Sequence, residues 1–248
     1  MLSMTNDKIY TQERSICSAY IDSGLKLGIA QAVLMVQDNL TECFNMMNCD
    51  GIYFRELGYF WVFTKSKLKF FRRPSWREVI DASTFTVQNS GMRTNVNSIF
   101  KDKSGNTLLI ANQEACVLDI ERHRPVPLSK VPYPQDGFPD KVFTDDFVKF
   151  VIPDSDYREV YEQVIRSSNI DMSHHLNNIE YIKFALNVFT EEFVLSHDVC
   201  ELEVHYTGES KEGQTLKILR ADTEDGTYIK IKESERSVFE MKISFQAV

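Results

Sequence analysis

Apolar residues recur at steps of three and four in two stretches of the chain, which is the spacing of a helix with one buried face. The first stretch covers residues 25–47 and the second covers residues 179–193. Both are long enough for amphipathic helices. Asn177 and Asn178 come directly before the second stretch, and either side chain can cap a helix there.

Shorter stretches combine alternating apolar and polar positions with β-branched and aromatic residues, which predicts strands. One predicted strand precedes each helix and four follow it. The predicted strands are residues 9–20, 61–70, 80–88, 92–100, 107–120, 160–166, 202–207, 215–220, 227–232 and 238–245. The chain therefore contains the same order of elements twice.

This repeated order predicts an α+β protein with two similar halves. A faint sequence echo agrees with it, because Ile21-Asp22 and Leu27 have the same spacing as Ile170-Asp171 and Leu176. Residues 131–140 are rich in Pro and Gly, which indicates a linker. We predict a first domain over residues 1–130, a linker over 131–158 and a second domain over 159–248. In each half an antiparallel sheet is expected to wrap around a long helix.

A polar segment lies just before the second predicted helix. It contains an acid (Asp171), a hydroxyl (Ser173) and a candidate base (His175). Free backbone N–H groups and the helix dipole favour a developing negative charge at a helix N-terminus. An acid, a base and oxyanion donors in one place suit acyl transfer or hydrolysis.

A metal site is the alternative interpretation of this segment, because His174 and His175 are adjacent and an acid lies nearby. Their spacing matches none of the common zinc patterns. We therefore predict neither a metal nor a cofactor. The remaining histidines have no motif around them, and we expect His174 to face solvent.

The segment Asp-x-x-x-His-Leu-Asn-Asn, which runs from Asp171 to Asn178, resembles the active-site segment of acyl-ACP thioesterases. Their usual pattern is Asp-x-Asn-x-His-Val-Asn-Asn, so Ser173 stands where the family has Asn. Tyr206-Thr-Gly-Glu-Ser210 resembles a second family segment, Tyr-x-x-Glu-Cys or Tyr-x-x-Glu-Ser. Looser similarity extends over most of the chain, including residues 61–64 and 73–76.

The resemblance implies a tandem double hotdog fold with its active site in the second half. Asp171 would be the nucleophile or general base, His175 would position it or activate water, and Glu209 would be the second carboxylate. Ser173 would orient Asp171 through its hydroxyl group, and Ser210 would support Glu209. The implied oxyanion donors are the backbone N–H groups of Leu176, Asn177 and Asn178.

The implied reaction is hydrolysis of fatty acyl-ACP thioesters to free fatty acid and holo-ACP, which would terminate fatty acid synthesis. The acyl chain would enter an apolar tunnel involving the first-half helix. Three alternatives stay open: an acyl-CoA thioesterase, a hotdog dehydratase, and a non-catalytic protein that binds acyl groups or ACP. A homodimer also stays open, although a double hotdog already makes internally the pairing that single hotdogs make by dimerising.

The net charge of −8, from 28 Lys and Arg against 36 Asp and Glu, argues against a nucleic-acid partner. An acidic carrier protein would need a local basic patch. The candidates are Lys65, Lys67, Lys69, Arg72 and Arg73, or alternatively Arg122 and Arg124.

The compartment is predicted from three further features. No apolar run approaches the roughly 20 residues of a membrane span. The first residues lack the basic-then-apolar pattern of a signal peptide. The five cysteines are odd in number and lack metal-like pairing, as expected of reduced cysteines. We therefore expect a cytoplasmic protein.

Overall fold

The computed structural model describes residues 8–87, 91–138, 141–143 and 145–248. Its helices are α1 (Ile29–Met46), α2 (Gly51–Glu56), α3 (Asn178–Leu186) and α4 (Glu191–Ser196). Its strands are β1 (Tyr10–Ser15), β2 (Tyr59–Phe70), β3 (Val79–Thr86), β4 (Arg93–Asp102), β5 (Thr107–Asp119), β6 (Arg124–Val126), β7 (Arg158–Val164), β8 (His197–Tyr206), β9 (Thr215–Thr223), β10 (Gly226–Glu233) and β11 (Arg236–Ala247). The predicted strand end at Gln88, parts of the predicted linker and the first seven residues lie outside the described ranges.

The strands of the described chain form one continuous sheet in the order β1-β3-β4-β5-β2-β8-β11-β10-β9-β7, and β6 pairs with β5. Each half has the same internal order, with its first strand at the outer edge and its second strand at the centre. The halves join where β2 and β8 pair antiparallel, with Lys67 opposite Glu203. The two sheets expected from the sequence are thus joined edge to edge.

The helices α1 and α3 pack against each other and against one face of this sheet. Both bury an apolar face, as their sequence periodicity predicts. Each fully buried Val, Leu, Ile or Phe side chain stabilises the fold by about 1.5–3 kcal/mol. In the described part of the chain, no helix is both long enough and apolar enough to span a membrane.

The helices differ from the sequence prediction at their ends. Leu25 has a φ of +57°, which ends any helical pattern there, so α1 begins at Ile29 after Gly28. The second pattern is divided into α3 and α4, because the Thr190 side chain accepts a hydrogen bond from the Phe193 N–H and caps a new helix. The short helix α2 was not predicted.

The segment between the halves crosses the outer face of the sheet. Phe150 stacks on the imidazole ring of His205 with 4.4 Å between ring centroids. The Val148 N–H donates to the buried carboxylate of Glu203 at 2.9 Å. These contacts cover the junction of the two half-sheets.

Candidate active site

A tight loop over residues 170–177 returns the chain to the start of α3. The Asp171 N–H donates to the His175 carbonyl at 2.9 Å, and the His174 N–H donates to the Asp171 carbonyl at 3.0 Å. His174 has a φ of +63°, the left-handed conformation that such a turn requires. Asn177 caps α3, since its side chain accepts from the Ile179 N–H at 2.8 Å. The backbone therefore fixes where the loop presents its side chains.

The structure brings His175 and Glu209 together. The distance from His175 Nε2 to Glu209 Oε2 is 3.3 Å, close to the range of about 2.7–3.2 Å for an N–H···O hydrogen bond. The imidazole is 28% exposed and the carboxylate 58% exposed, so both can meet a substrate. A base with an adjacent carboxylate that orients it is a common catalytic arrangement.

Asp171 lies in the same loop but contacts neither of these side chains at hydrogen-bonding distance. Its Oδ1 accepts from the Ser173 N–H at 2.8 Å, which forms an Asx turn. Its Oδ2 makes no hydrogen bond to the described chain. Oδ1 therefore stabilises the loop, and Oδ2 is available to contact a substrate or water.

Two of the three predicted oxyanion donors are already occupied. The Leu176 N–H donates to the Ser210 carbonyl at 2.8 Å, and the Asn177 N–H donates to the Asn169 carbonyl at 2.9 Å. This part of the prediction is wrong, because a helix N-terminus offers only those N–H groups that loop carbonyls leave unpaired. Among the described residues, the Asn178 N–H has no acceptor, so Asn178 remains the candidate donor.

The orienting role of the Ser173 hydroxyl stays a prediction, since no hydrogen bond joins this hydroxyl to Asp171 in the described chain. The Ser173 side chain is exposed, and the group that holds Asp171 is its backbone N–H. Any residue other than proline that tolerates this loop supplies the same donor. The replacement of the family Asn by Ser therefore leaves the Asx turn intact.

We expect Ser173→Ala to keep kcat within about twofold of the wild type, because the substitution keeps the backbone N–H that binds Asp171. Loss of a charge-assisted hydrogen bond from the hydroxyl would instead cost about 1.5–3 kcal/mol, or roughly a ten- to hundredfold lower rate. Steady-state kinetics on one acyl thioester distinguishes the two outcomes. A tenfold loss would restore the catalytic role of the hydroxyl.

One exposed and two buried side chains lie against the segment that presents Glu209. The Arg236 guanidinium donates to the Glu209 carbonyl at 2.9 Å. The Tyr181 hydroxyl lies 3.5 Å from the Gly208 carbonyl, and burial raises its pKa to about 12, so it remains a donor. Ser210 is fully buried and faces Tyr181 without a hydrogen bond of ordinary geometry. Neither Arg236 nor Tyr181 belongs to a motif, so no pattern in the sequence indicated them.

The first half contains the same loop. The Asp22 N–H donates to the Lys26 carbonyl at 2.9 Å, and the Asp22 Oδ1 accepts from the Gly24 N–H at 2.9 Å. Leu27 donates to the Pro74 carbonyl at 2.8 Å, as Leu176 does to Ser210. The faint sequence echo between the halves is therefore a real structural repeat.

Different side chains occupy the first-half loop. Lys26 stands at the position of His175, and Arg73, next to Pro74, stands at the position of Glu209. Arg73 is buried and forms an ion pair with Asp22, and Lys26 pairs with Asp198 of β8 at 2.9 Å. A base and a carboxylate are thus replaced by two cations already bound to acids, which cannot perform the same chemistry.

The basic patch predicted around Arg72 and Arg73 is not a free surface. Arg73 and Lys67 are buried in ion pairs, and Arg72 binds Glu78 through two hydrogen bonds. Lys65 and Lys69 lie over the rings of Phe147 and Phe71. Charges that are already paired attract a partner only weakly, so Lys67, Arg72 and Arg73 do not contribute to the predicted patch as expected.

The residues around the loop do not form a metal site within the described ranges, since no three His, Cys, Asp or Glu side chains converge there or elsewhere. The contact between His175 and Glu209 involves one nitrogen and one carboxylate. A proton, rather than a cation, suits this pair.

The sequence and the fold were compared with those of known proteins. Residues 154–246 match the family model of the acyl-ACP thioesterase C-terminal domain. The chain is similar to oleoyl-acyl carrier protein thioesterase 1 of Arabidopsis thaliana, a chloroplastic protein, with 22% identity over 188 residues. The match covers 69% of this chain and 50% of the plant protein, so the chain spans about half the length of that relative.

Solved structures of similar fold cover the whole chain. An acyl-ACP thioesterase from Bacteroides thetaiotaomicron superposes with a TM-score of 0.89 and 19% identity, covering 98% of this chain and 100% of the other. The 12:0-ACP thioesterase from Umbellularia californica gives a TM-score of 0.84 and 13% identity, with both chains fully covered. Residues 154–246 are therefore similar in sequence to the acyl-ACP thioesterase C-terminal domain, and the chain has the hotdog fold of these two solved thioesterases.

Proposed function

We propose that this protein hydrolyses fatty acyl-ACP thioesters to free fatty acid and holo-ACP, a reaction that ends synthesis of the acyl chain. The observation that carries the proposal is the contact of His175 with Glu209 beside the N-terminus of α3. It lies in the segment that matches the thioesterase family model. Two plant relatives are thioesterases of acyl carrier protein substrates by name, which supports ACP as the carrier.

In the proposed mechanism, His175 acts as the base. Glu209 orients the imidazole through Nε2, so Nδ1 takes a proton from water as the water oxygen attacks the thioester carbonyl. The Asn178 N–H stabilises the oxyanion of the tetrahedral intermediate, with help from the α3 dipole. The C–S bond then breaks, and His175 returns its proton to the leaving thiolate. Asp171 contributes its charge through Oδ2, as a second base toward the attacking water. In the alternative route, Oδ2 attacks the thioester carbonyl in place of water, and water then hydrolyses the resulting acyl anhydride and frees the Asp171 carboxylate.

The three alternatives differ from this proposal in measurable products. An acyl-CoA thioesterase would release thiol from acyl-CoA in preference to acyl-ACP. A dehydratase would hydrate an enoyl thioester without releasing thiol. A non-catalytic protein would bind an acyl-ACP and leave it intact. The contact of a base with a carboxylate beside a helix N-terminus suits activation of water. It therefore favours thioester hydrolysis over a dehydratase and over a non-catalytic binding protein.

One assay tests the proposed function. The wild-type protein is incubated with acyl-ACPs and acyl-CoAs of matched chain lengths, and free thiol and free fatty acid are measured together. We expect equimolar thiol and fatty acid, with a higher kcat/KM for at least one acyl-ACP than for the matching acyl-CoA. Hydration of an enoyl thioester without thiol release would overturn the proposal.

We also propose that the halves are two hotdog units in tandem, with residues 131–158 as the linker between domains 1–130 and 159–248. The repeated strand order and the repeated loop support this division. The antiparallel pairing of β2 with β8 stands where two single hotdogs would meet. Duplication followed by loss of the first-half site explains both features.

We propose that the carrier protein docks at a basic cleft near the start of β2. The cleft has a volume of about 310 Å³. Its cationic lining residues are Arg122, Arg124 and Lys130. They form no ion pair with the described residues, on a chain whose net charge is −8. Tyr59, which also lines the cleft, begins β2 as His197 begins β8. Because the start of β8 contacts the first-half loop through Asp198, the start of β2 is expected to face the second-half loop.

Reversing two charges in the cleft, with Arg122→Glu and Arg124→Glu, is expected to raise KM for acyl-ACP about tenfold and leave kcat nearly unchanged. The reason is loss of electrostatic attraction to an acidic carrier. The same variant should hydrolyse an acyl-pantetheine, which lacks the carrier, with unchanged KM.

Lys101→Glu is the matched control, since Lys101 is an exposed cation of β4 with no ion pair in the described chain. It should alter neither KM. An equal rise in KM for acyl-ACP and acyl-pantetheine would show that the cleft is not a docking surface.

A further inference from the structure

A layer of buried polar side chains interrupts the apolar core of the first half. Asn39 lies on the buried face of α1, at 0% exposure, between Val36 of one apolar cluster and Leu40 of another. Gln113 of β5 is 1% exposed. Ser66, Thr84 and Ser98 on the neighbouring strands are also buried.

Most of these groups satisfy one another. The Thr84 and Ser98 hydroxyls are 2.7 Å apart on paired positions of β3 and β4. The Asn39 Nδ2 donates to the Ala82 carbonyl at 3.2 Å, and the Gln113 Nε2 donates to Ser66 Oγ at 3.3 Å. The Asn39 Oδ1 and the Gln113 Oε1 have no hydrogen-bond donor within the described chain. Two buried acceptors without donors are costly to a fold, and a hydrogen-bond donor on a bound molecule would satisfy them.

The layer lies where an acyl chain leaving the active site would enter the first half. The first-half loop contacts the second half through Lys26 and Asp198. By the repeat, the second-half loop that holds His175 faces the first half. The helix α3, which begins at this loop, packs against α1. If the proposed function holds, an acyl chain bound at the second-half loop would extend between α1 and the first-half sheet, past this polar layer.

We propose that the substrates are acyl thioesters whose chain carries a hydroxyl group, which donates to Asn39 Oδ1 or Gln113 Oε1. An alkyl chain offers no donor to these acceptors, and a keto group offers only another acceptor. A hydroxyl group supplies the missing proton while the rest of the chain remains apolar. The polar layer would thus select among chains by their oxidation state.

The test compares acyl-ACPs of equal length that are unsubstituted or carry a hydroxyl at one of several positions. At least one hydroxylated chain is expected to have a three- to tenfold higher kcat/KM, the effect of one neutral hydrogen bond. Gln113→Leu or Asn39→Leu should abolish or invert that preference. The ratio of two substrates on one variant is independent of how much of the variant folds.

Asn112→Leu is the control, because Asn112 is a buried amide next to Gln113 but on the opposite face of β5. It should leave the ratio unchanged. Dissociation constants for free hydroxylated and unsubstituted fatty acids give a readout that needs no catalysis. Hydrolysis without any hydroxyl preference would overturn this inference alone. Absence of hydrolysis together with equal dissociation constants would overturn both this inference and the proposed function.

Discussion

His175→Ala is expected to lower kcat by at least about 100-fold, which corresponds to about 2.7 kcal/mol of lost transition-state stabilisation. The imidazole is the base of the proposed mechanism, and it is held 3.3 Å from Glu209. Because the side chain is partly exposed and caps no helix, its removal should shift the thermal midpoint by only a few degrees. Thiol release from an acyl-ACP gives kcat, and thermal unfolding gives the midpoint.

The first half provides the control for this prediction. Lys26 occupies the position of His175 in an otherwise equivalent loop, so Lys26→Ala should retain most of the activity. Asp171→Asn is informative in a different way, since an amide oxygen can still accept from the Ser173 N–H and keep the Asx turn. Loss of kcat in that variant would come from the missing charge. Near-wild-type turnover of His175→Ala would show that the active site does not lie at the second-half loop.

Among single substitutions around the first-half loop, Arg73→Met is expected to lower the free energy of unfolding the most. Arg73 is buried with 4% of its side chain exposed, and it pairs with Asp22. Removing one partner of a buried pair leaves an unpaired charge and costs roughly 3–5 kcal/mol. For a chain of this size we expect the thermal midpoint to fall by about 10 °C.

Two comparisons isolate the ion pair as the cause. Arg72→Met removes a neighbouring cation whose side chain is 47% exposed, and it should cost no more than about 1 kcal/mol. The double variant Asp22→Asn, Arg73→Met removes both charges and should recover part of the lost stability. Equal unfolding temperatures of Arg73→Met and Arg72→Met would show that the buried ion pair of Arg73 with Asp22 contributes no more to stability than the exposed pair of Arg72.

Much of the fold was accessible from the sequence because apolar periodicity reports burial directly. The predicted strands are present with shifted ends, the first predicted helix is present as α1, and the second is present as α3 and α4. The errors occur where one local contact outweighs periodicity. Leu25 continues the apolar pattern, but its left-handed backbone belongs to the loop, and the Thr190 cap divides a pattern that is otherwise continuous.

The residues of the candidate site could be predicted from the sequence, but their contacts in the fold could not. Motif resemblance selected His175 and Glu209, which are 34 residues apart and meet in the fold. The Leu176 and Asn177 N–H groups donate to the carbonyls of Ser210 and Asn169, so they are not free to bind an oxyanion. Tertiary hydrogen bonds of this kind leave no trace in residue identity. The same holds for Arg73, whose apparent place in a basic surface stretch conceals a buried ion pair.

The second-half loop is proposed to hydrolyse a thioester. The most direct test measures thiol release from one acyl-ACP by the wild type and by the triple variant Asp171→Asn, His175→Ala, Glu209→Gln. We predict catalytic turnover by the wild type and a kcat at least about 100-fold lower in the triple variant, with both proteins folded. Equal turnover by the two proteins, or no thiol release by the wild type from any acyl-ACP, would contradict the account.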